Sequence, residues 1–162
     1  MEDCKEEIEE FYNVARKGLK DKLGCVLFQL PPSFTYDPER LKAVIMAVDH
    51  EFTNVVEFRH ESWWRQDVID IMNDNNITFC SVNYPKLPTD IIKTTQTCYV
   101  RMHGNPKLFY SEYTKEQIKS LSNEVKSQSF KQAYIYFNNT ASTAGIINAI
   151  QAKNMNDDHE IW

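Results

Sequence analysis

Four residues of this 162-residue chain have the types and spacing of a reactive or ligand-binding group: Glu57, Arg59, Arg101 and His103. Each pair is separated by a single residue in a short apolar run. Side chains alternate across a strand, so Val55, Glu57 and Arg59 share one face while Val56 and Phe58 take the other. By the same alternation Tyr99, Arg101 and His103 share a face, opposite Val100 and Met102. Two guanidiniums so placed can clamp a phosphate or carboxylate through forked hydrogen bonds. Glu57 and His103 are the candidate catalytic acid and base. Gln29, Asn83 and Asn138 lie near the ends of other apolar runs and are candidate ligand-binding residues. Trp63, directly after the Glu57 run, offers a ring to wall the pocket or stack on a ligand. The competing reading is a buried ion-pair network that fixes strand register and does no chemistry. His60, His103, Glu57 and Gln29 are potential metal donors. No His-x-His or His-Glu-x-x-His spacing is present, and no metal is expected.

These residues must be held by strands, and the pattern supplies five. Apolar, β-favouring runs occupy 25–30, the Val55 stretch, 77–83, 98–103 and 133–137. Helical periodicity fills the intervals. It covers residues 3–22, a segment opened by Asp37-Pro38 and striped by Leu41, Val44, Ile45 and Val48, one through Val68, Ile69 and Met72, then 113–126 and 141–153. Thr114 and Gln117 have capping-box spacing. The polar tail 154–162 is expected to be loosely held. Strands alternating with helices imply a parallel α/β sheet. An open two-sided sheet would want both strand faces apolar. Here one face turns polar near each strand's C-terminal end, which favours a barrel-type sheet with its site at the strand ends.

Length predicts a single domain over residues 1–162. The formal net charge of −5 disfavours nucleic acid as a partner. No apolar run approaches membrane-spanning length, and no secretory signal opens the chain. Cys25, Cys80 and Cys98 lie in or beside apolar runs, with no Cys-x-x-Cys pair. That predicts free thiols and a cytoplasmic location.

Four motifs carry a family resemblance. Phe28-Gln29-Leu30-Pro31-Pro32-Ser33-Phe34, Glu57-Phe58-Arg59-His60-Glu61-Ser62-Trp63, Tyr99-Val100-Arg101-Met102-His103-Gly104 and Tyr136-Phe137-Asn138-Asn139 occur in one order. Together they resemble the YecE-like family, domain of unknown function number seventy-two. The resemblance implies a TIM-barrel-like fold of which this chain is the C-terminal portion, about five β/α units. The family's first strands, with a Gly-Trp-bearing opening segment, have no counterpart here. Asn83 also stands where the family leads one to expect an acid. The resemblance assigns no reaction and no cofactor. The expected function is binding of a small anionic ligand, with hydrolysis or isomerisation as the reaction type. The alternatives are a non-catalytic split barrel, pairing with a complementing N-terminal chain or with itself, and a metal-dependent nuclease-like barrel.

Overall fold

The structure, a computed structural model, describes residues 4–156. The described residues form six strands and five α-helices. Helix α1 (Lys5–Leu19) leads to β1 (Val26–Gln29), then α2 (Pro38–Ala47), β2 (Asn54–Glu57) and α3 (Gln66–Asp74). There follow β3 (Thr78–Phe79), β4 (Ser81–Asn83), β5 (Thr97–Met102), α4 (Lys115–Ser127), β6 (Gln132–Phe137) and α5 (Ala144–Asn156). All pairing is parallel, in the orders β1-β2-β3 and β4-β5-β6. The chain passes from the first sheet to the second through Cys80 alone, so five strand positions follow one another in an arc. Among the described residues the arc does not close into a barrel.

The stretch 77–83, expected as one strand, is two. Opposite Thr78 and Phe79 the neighbour is the loop before β5, and its side chains stand in for a ladder. Thr94 Oγ1 accepts from the Phe79 amide at 2.8 Å and donates to the Ile77 carbonyl at 2.7 Å. Only from Ser81 onward does β5 supply backbone partners.

The helix ends follow their caps. Asp37 accepts from the Glu39 amide at 2.9 Å, and Pro38 takes the first helical position, where its missing N–H costs nothing. Thr114 and Gln117 form the reciprocal capping box, so α4 starts at Lys115 and leaves Tyr113 outside it. Helix α1 stops at Leu19, because Lys20 turns to φ +50° before one tighter turn (Lys20–Lys22). Helix α5 starts later than its apolar residues suggest. Ser142 Oγ accepts from the Ala144 amide at 3.1 Å, and the Thr143 carbonyl accepts the first helical bond. Residues 154–156 of the expected loose tail belong to α5, and the remainder lies outside the described residues.

Alternation sorts the core into layers. Val56, Phe58 and Phe79 pack outward on Leu41 and Val44 of α2 and on Val68 and Met72 of α3. Val100 and Met102 pack outward on Ile118 and Val125 of α4. The inner face begins as an apolar floor of Leu27, Val55, Cys80, Val82 and Tyr99. At its C-terminal rim the inner face turns polar. Cys80 and Cys98 are buried free thiols, Cys25 is half-buried and Cys4 is exposed. Burial pushes the Cys98 thiol up to about 12, so it stays protonated and inert.

Candidate functional site

Strand β2 ends on Glu57 and β5 on Arg101 and Met102, with Arg59 and His103 two residues and one residue beyond the respective strand ends. The inner face therefore carries all four side chains to one rim of the arc. Glu57 is fully buried. One of its oxygens, Oε2, accepts from Arg101 Nη1. The other, Oε1, lies 2.5 Å from Arg59 Nε and 3.1 Å from His103 Nε2. The Arg59 contact is an ion pair whose N–H is not aimed along the line between the atoms. Gln29, at the end of β1, puts Oε1 3.0 Å from both Arg59 Nη2 and Arg101 Nη1. A side chain of β1 thus reaches one of β5, which shows how strongly the arc curves.

Burial opposes charge on Glu57. The hydrogen bonds from His103 and Arg101 and the nearby guanidiniums outweigh it and hold the carboxyl below its ordinary value. His103 is held below its ordinary value by burial first; the hydrogen bond to Glu57 only partly offsets this. The imidazole is therefore neutral at pH 7. Its Nε2 lies between the Glu57 carboxylate and Arg59 Nη2, the latter 3.3 Å away, and among the described residues the buried Nδ1 has no hydrogen-bond partner. A carboxylate in hydrogen-bond contact with a neutral imidazole is a pair between which a proton can pass.

Sign and window of the pH dependence follow from both shifts. A histidine whose folded value is depressed takes up protons on unfolding. Its contribution to stability is complete above about pH 6.5 and is lost as pH falls below that. Glu57 is also depressed, and its contribution is lost at lower pH, from about 4.3 down through its folded value. Urea midpoints measured from pH 7.5 down to about pH 2 should fall in two stages. His103→Gln should remove the upper stage and leave the lower.

Two further residues complete the wall. Tyr84 offers its ring to the Arg59 guanidinium, 4.5 Å from the centroid, and meets His103 edge-on at 5.6 Å. Phe109 also meets His103 edge-on, at 6.3 Å. Gly104 makes that return possible. Its φ of +91° belongs to glycine, and a Cβ there would sit 3.0 Å from the Lys107 carbonyl oxygen. Tyr84 was missed in the sequence although alternation from Cys80 and Val82 places it on the inner face.

The remaining predicted residues lie elsewhere. Asn83 is on the outer face, where its Oδ1 accepts from the Tyr113 hydroxyl at 2.8 Å. Tyr113 is buried, held between Asn83 and the Gly104 amide. Trp63 is fully buried among Phe34, Tyr36 and Phe58, and its Nε1 donates to the Phe34 carbonyl at 2.7 Å. Asn138 adjoins the site through its backbone, whose amide donates to the Met102 carbonyl at 2.7 Å, while its buried Oδ1 has no partner among the described residues. His60 caps the turn after β2 through Ser62, and His50 is exposed. Among the described residues no three His, Cys, Asp or Glu side chains converge as metal donors. An open groove of about 1070 Å³ between α1 and α2, lined in part by Tyr12, Arg16 and Met46, contains none of the site residues.

Residues 1–160 match the family described as Protein of unknown function DUF72. The chain belongs to the DUF72 family. A DUF72 family protein of Thermotoga maritima MSB8 superposes with a TM-score of 0.86 at 29% identity, over 95% of this chain and 66% of that one. Two crystal structures of a DUF72 family protein of Enterococcus faecalis V583 superpose with TM-scores of 0.81 and 0.78, at 20% and 22% identity. They cover 94% and 93% of this chain and 66% and 68% of theirs, and show the fold alone. This DUF72 chain thus spans about two thirds (66%) of the first two solved chains it resembles. No curated protein matches it. Among the described residues no helix is long and apolar enough to cross a membrane.

Proposed function

We propose that this DUF72 chain binds a small phosphate- or carboxylate-bearing molecule at the Arg59–Arg101 pair and moves a proton on it through Glu57 and His103. The observation that carries this reading is the charge balance at the rim. Arg59 and Arg101 face one carboxylate, Glu57, within ion-pair distance among the described residues, and His103 is neutral. One positive charge is left over in a largely enclosed place, and an anion is the group that neutralises it. Gln29 supplies only a dipole. Hydrolysis and isomerisation both need an acid–base group beside a held anion, and the Glu57–His103 pair is such a group. Free thiols at Cys25, Cys80 and Cys98 suit a reducing, cytoplasmic setting.

A second reading is favoured by the completeness of Glu57's own pairing: the cluster locks the strands together and binds nothing. Arg101→Ala separates the two. Under the first reading it abolishes the thermal shift produced by inorganic phosphate or a small dicarboxylate while the protein stays folded. Under the second the native protein shows no shift with either anion, and the substitution only lowers the melting temperature. Absence of any anion-induced shift in the native protein would overturn the proposal.

A further inference from the structure

Two buried polar atoms of the rim, His103 Nδ1 and Asn138 Oδ1, have no hydrogen-bond partner among the described residues, each other included. The fold sets them side by side. Strands β5 and β6 pair Arg101 with Tyr136 and Met102 with Phe137, and the Asn138 amide extends the ladder to the Met102 carbonyl at 2.7 Å. His103 and Asn138 are therefore the next cross-strand neighbours. Alternation turns both to the inner face, with Arg101 and Tyr136. Both atoms are enclosed by this chain's own residues. What pairs them must therefore displace a side chain rather than settle on an open face. Phe109 is that side chain. Its amide donates to the His103 carbonyl at 2.7 Å and its carbonyl accepts from the Ala141 amide at 3.1 Å, so it bridges the two strand ends. Its ring meets His103 at 6.3 Å, yet the residue is 44% exposed, and its φ of +66° is strained for a bulky side chain. Unpaired buried polar atoms and strained backbone are both costly, and such costs gather where a ligand relieves them.

We infer that the ligand of this site carries hydroxyl groups beside its anionic group, received by His103 Nδ1 and Asn138 Oδ1 once the Phe109 ring turns aside. This rests on the anion binding proposed above, and it narrows the anion to a hydroxylated phosphate or carboxylate. The chemistry of the two atoms selects the hydroxyl. Asn138 Oδ1 can only accept, so its partner has to donate. His103 Nδ1 accepts or donates according to which neighbour Nε2 engages, Glu57 at 3.1 Å or Arg59 at 3.3 Å. A hydroxyl does both and suits either tautomer. An ammonium would donate but add to the positive charge that the rim already holds. Spacing sets the size. Arg101 and His103 stand two residues apart on one strand face, roughly 6.6 Å. A three-carbon chain bridges that distance.

Matched ligands titrated into the intact chain by calorimetry test this: glycerol phosphate against propyl phosphate, and malate against succinate. In at least one pair the hydroxylated member should bind about tenfold tighter or more. The pair that discriminates identifies the anionic group as phosphate or carboxylate. Asn138→Leu should shrink that ratio. Because Oδ1 has no partner to lose among the described residues, circular dichroism of the variant should match the parent. The ring-nitrogen resonances of His103 should shift with the hydroxylated member and stay put with its deoxy counterpart, a signature that a merely structural role would not produce. Equal affinities within both pairs, beside a thermal shift with inorganic phosphate, would overturn the hydroxyl assignment and leave the anion site standing. So would a ratio that Asn138→Leu leaves unchanged while the His103 resonances do not move. No binding of any of these anions, inorganic phosphate included, would overturn both.

Discussion

Glu57→Gln should cost about 3–5 kcal/mol of folding stability, the range for breaking a buried ion pair by removing one partner. The amide fills nearly the same space, so little of the loss can come from packing. What changes is charge. The Arg59 side chain is 8% exposed and the Arg101 side chain 17% exposed, and the substitution leaves both without a counter-charge. A surface ion pair would cost at most about 1 kcal/mol. A urea titration at pH 7.5 therefore decides whether the rim behaves as interior or as surface. If the loss is under about 1 kcal/mol, the enclosed-charge argument fails, and the anion proposal fails with it. If the loss is large, phosphate provides a second check. An anion that binds only the folded state stabilises it by RT ln(1 + [L]/Kd), so phosphate should restore part of the loss in Glu57→Gln. Adding Arg101→Leu to Glu57→Gln should also recover stability, by removing one of the two stranded charges.

The expectation of a rim built on Glu57, Arg59, Arg101 and His103 came from one rule, strand alternation, applied within the second and fourth runs. The structure gathers those four side chains, together with Gln29, which shares a strand face with Cys25 and Leu27. The rule was not applied to the third run. Asn83 was chosen for being polar near a strand end, but it shares parity with Phe79 and Ser81. The inward residues are Cys80, Val82 and Tyr84, and the aromatic one walls the site. The break at Cys80 was not legible, because it depends on Thr94 replacing a strand partner. That contact is set by the path of a loop and not by any local preference. The end helices were legible only in part. Helical periodicity marked both α1 and α5, yet Phe11 and Val14 of the one and Ile146, Ile147 and Ile150 of the other point outward. Periodicity reports that a helix has an apolar side but not whether anything lies against it.

Trp63 shows the same limit and carries the other large expected effect. Adjacent to a strand that ends in charge, a tryptophan reads equally well as a ligand platform or as core. Its fate is decided 29 residues away, where the Phe34 carbonyl accepts its Nε1 proton. The ring stacks on Phe58 at 4.1 Å and on Phe34 at 5.6 Å, with Tyr36 edge-on at 5.3 Å. Trp63→Ala should therefore cost about 3–5 kcal/mol, the range for emptying a packed aromatic site. Trp63→Phe keeps much of the stacking and strands the Phe34 carbonyl, so it should cost less, about 1–3 kcal/mol. The distinguishing measurement is anion affinity in Trp63→Phe, which should equal the parent's, because the ring packs on the outer side of the sheet while the guanidiniums face inward. A loss of phosphate binding with little loss of stability would reverse the assignment and return Trp63 to the site. Retained binding at lower stability places its role in holding the 34–36 loop against the end of β2. Through that packing Trp63 supports the turn that carries Arg59 to the rim.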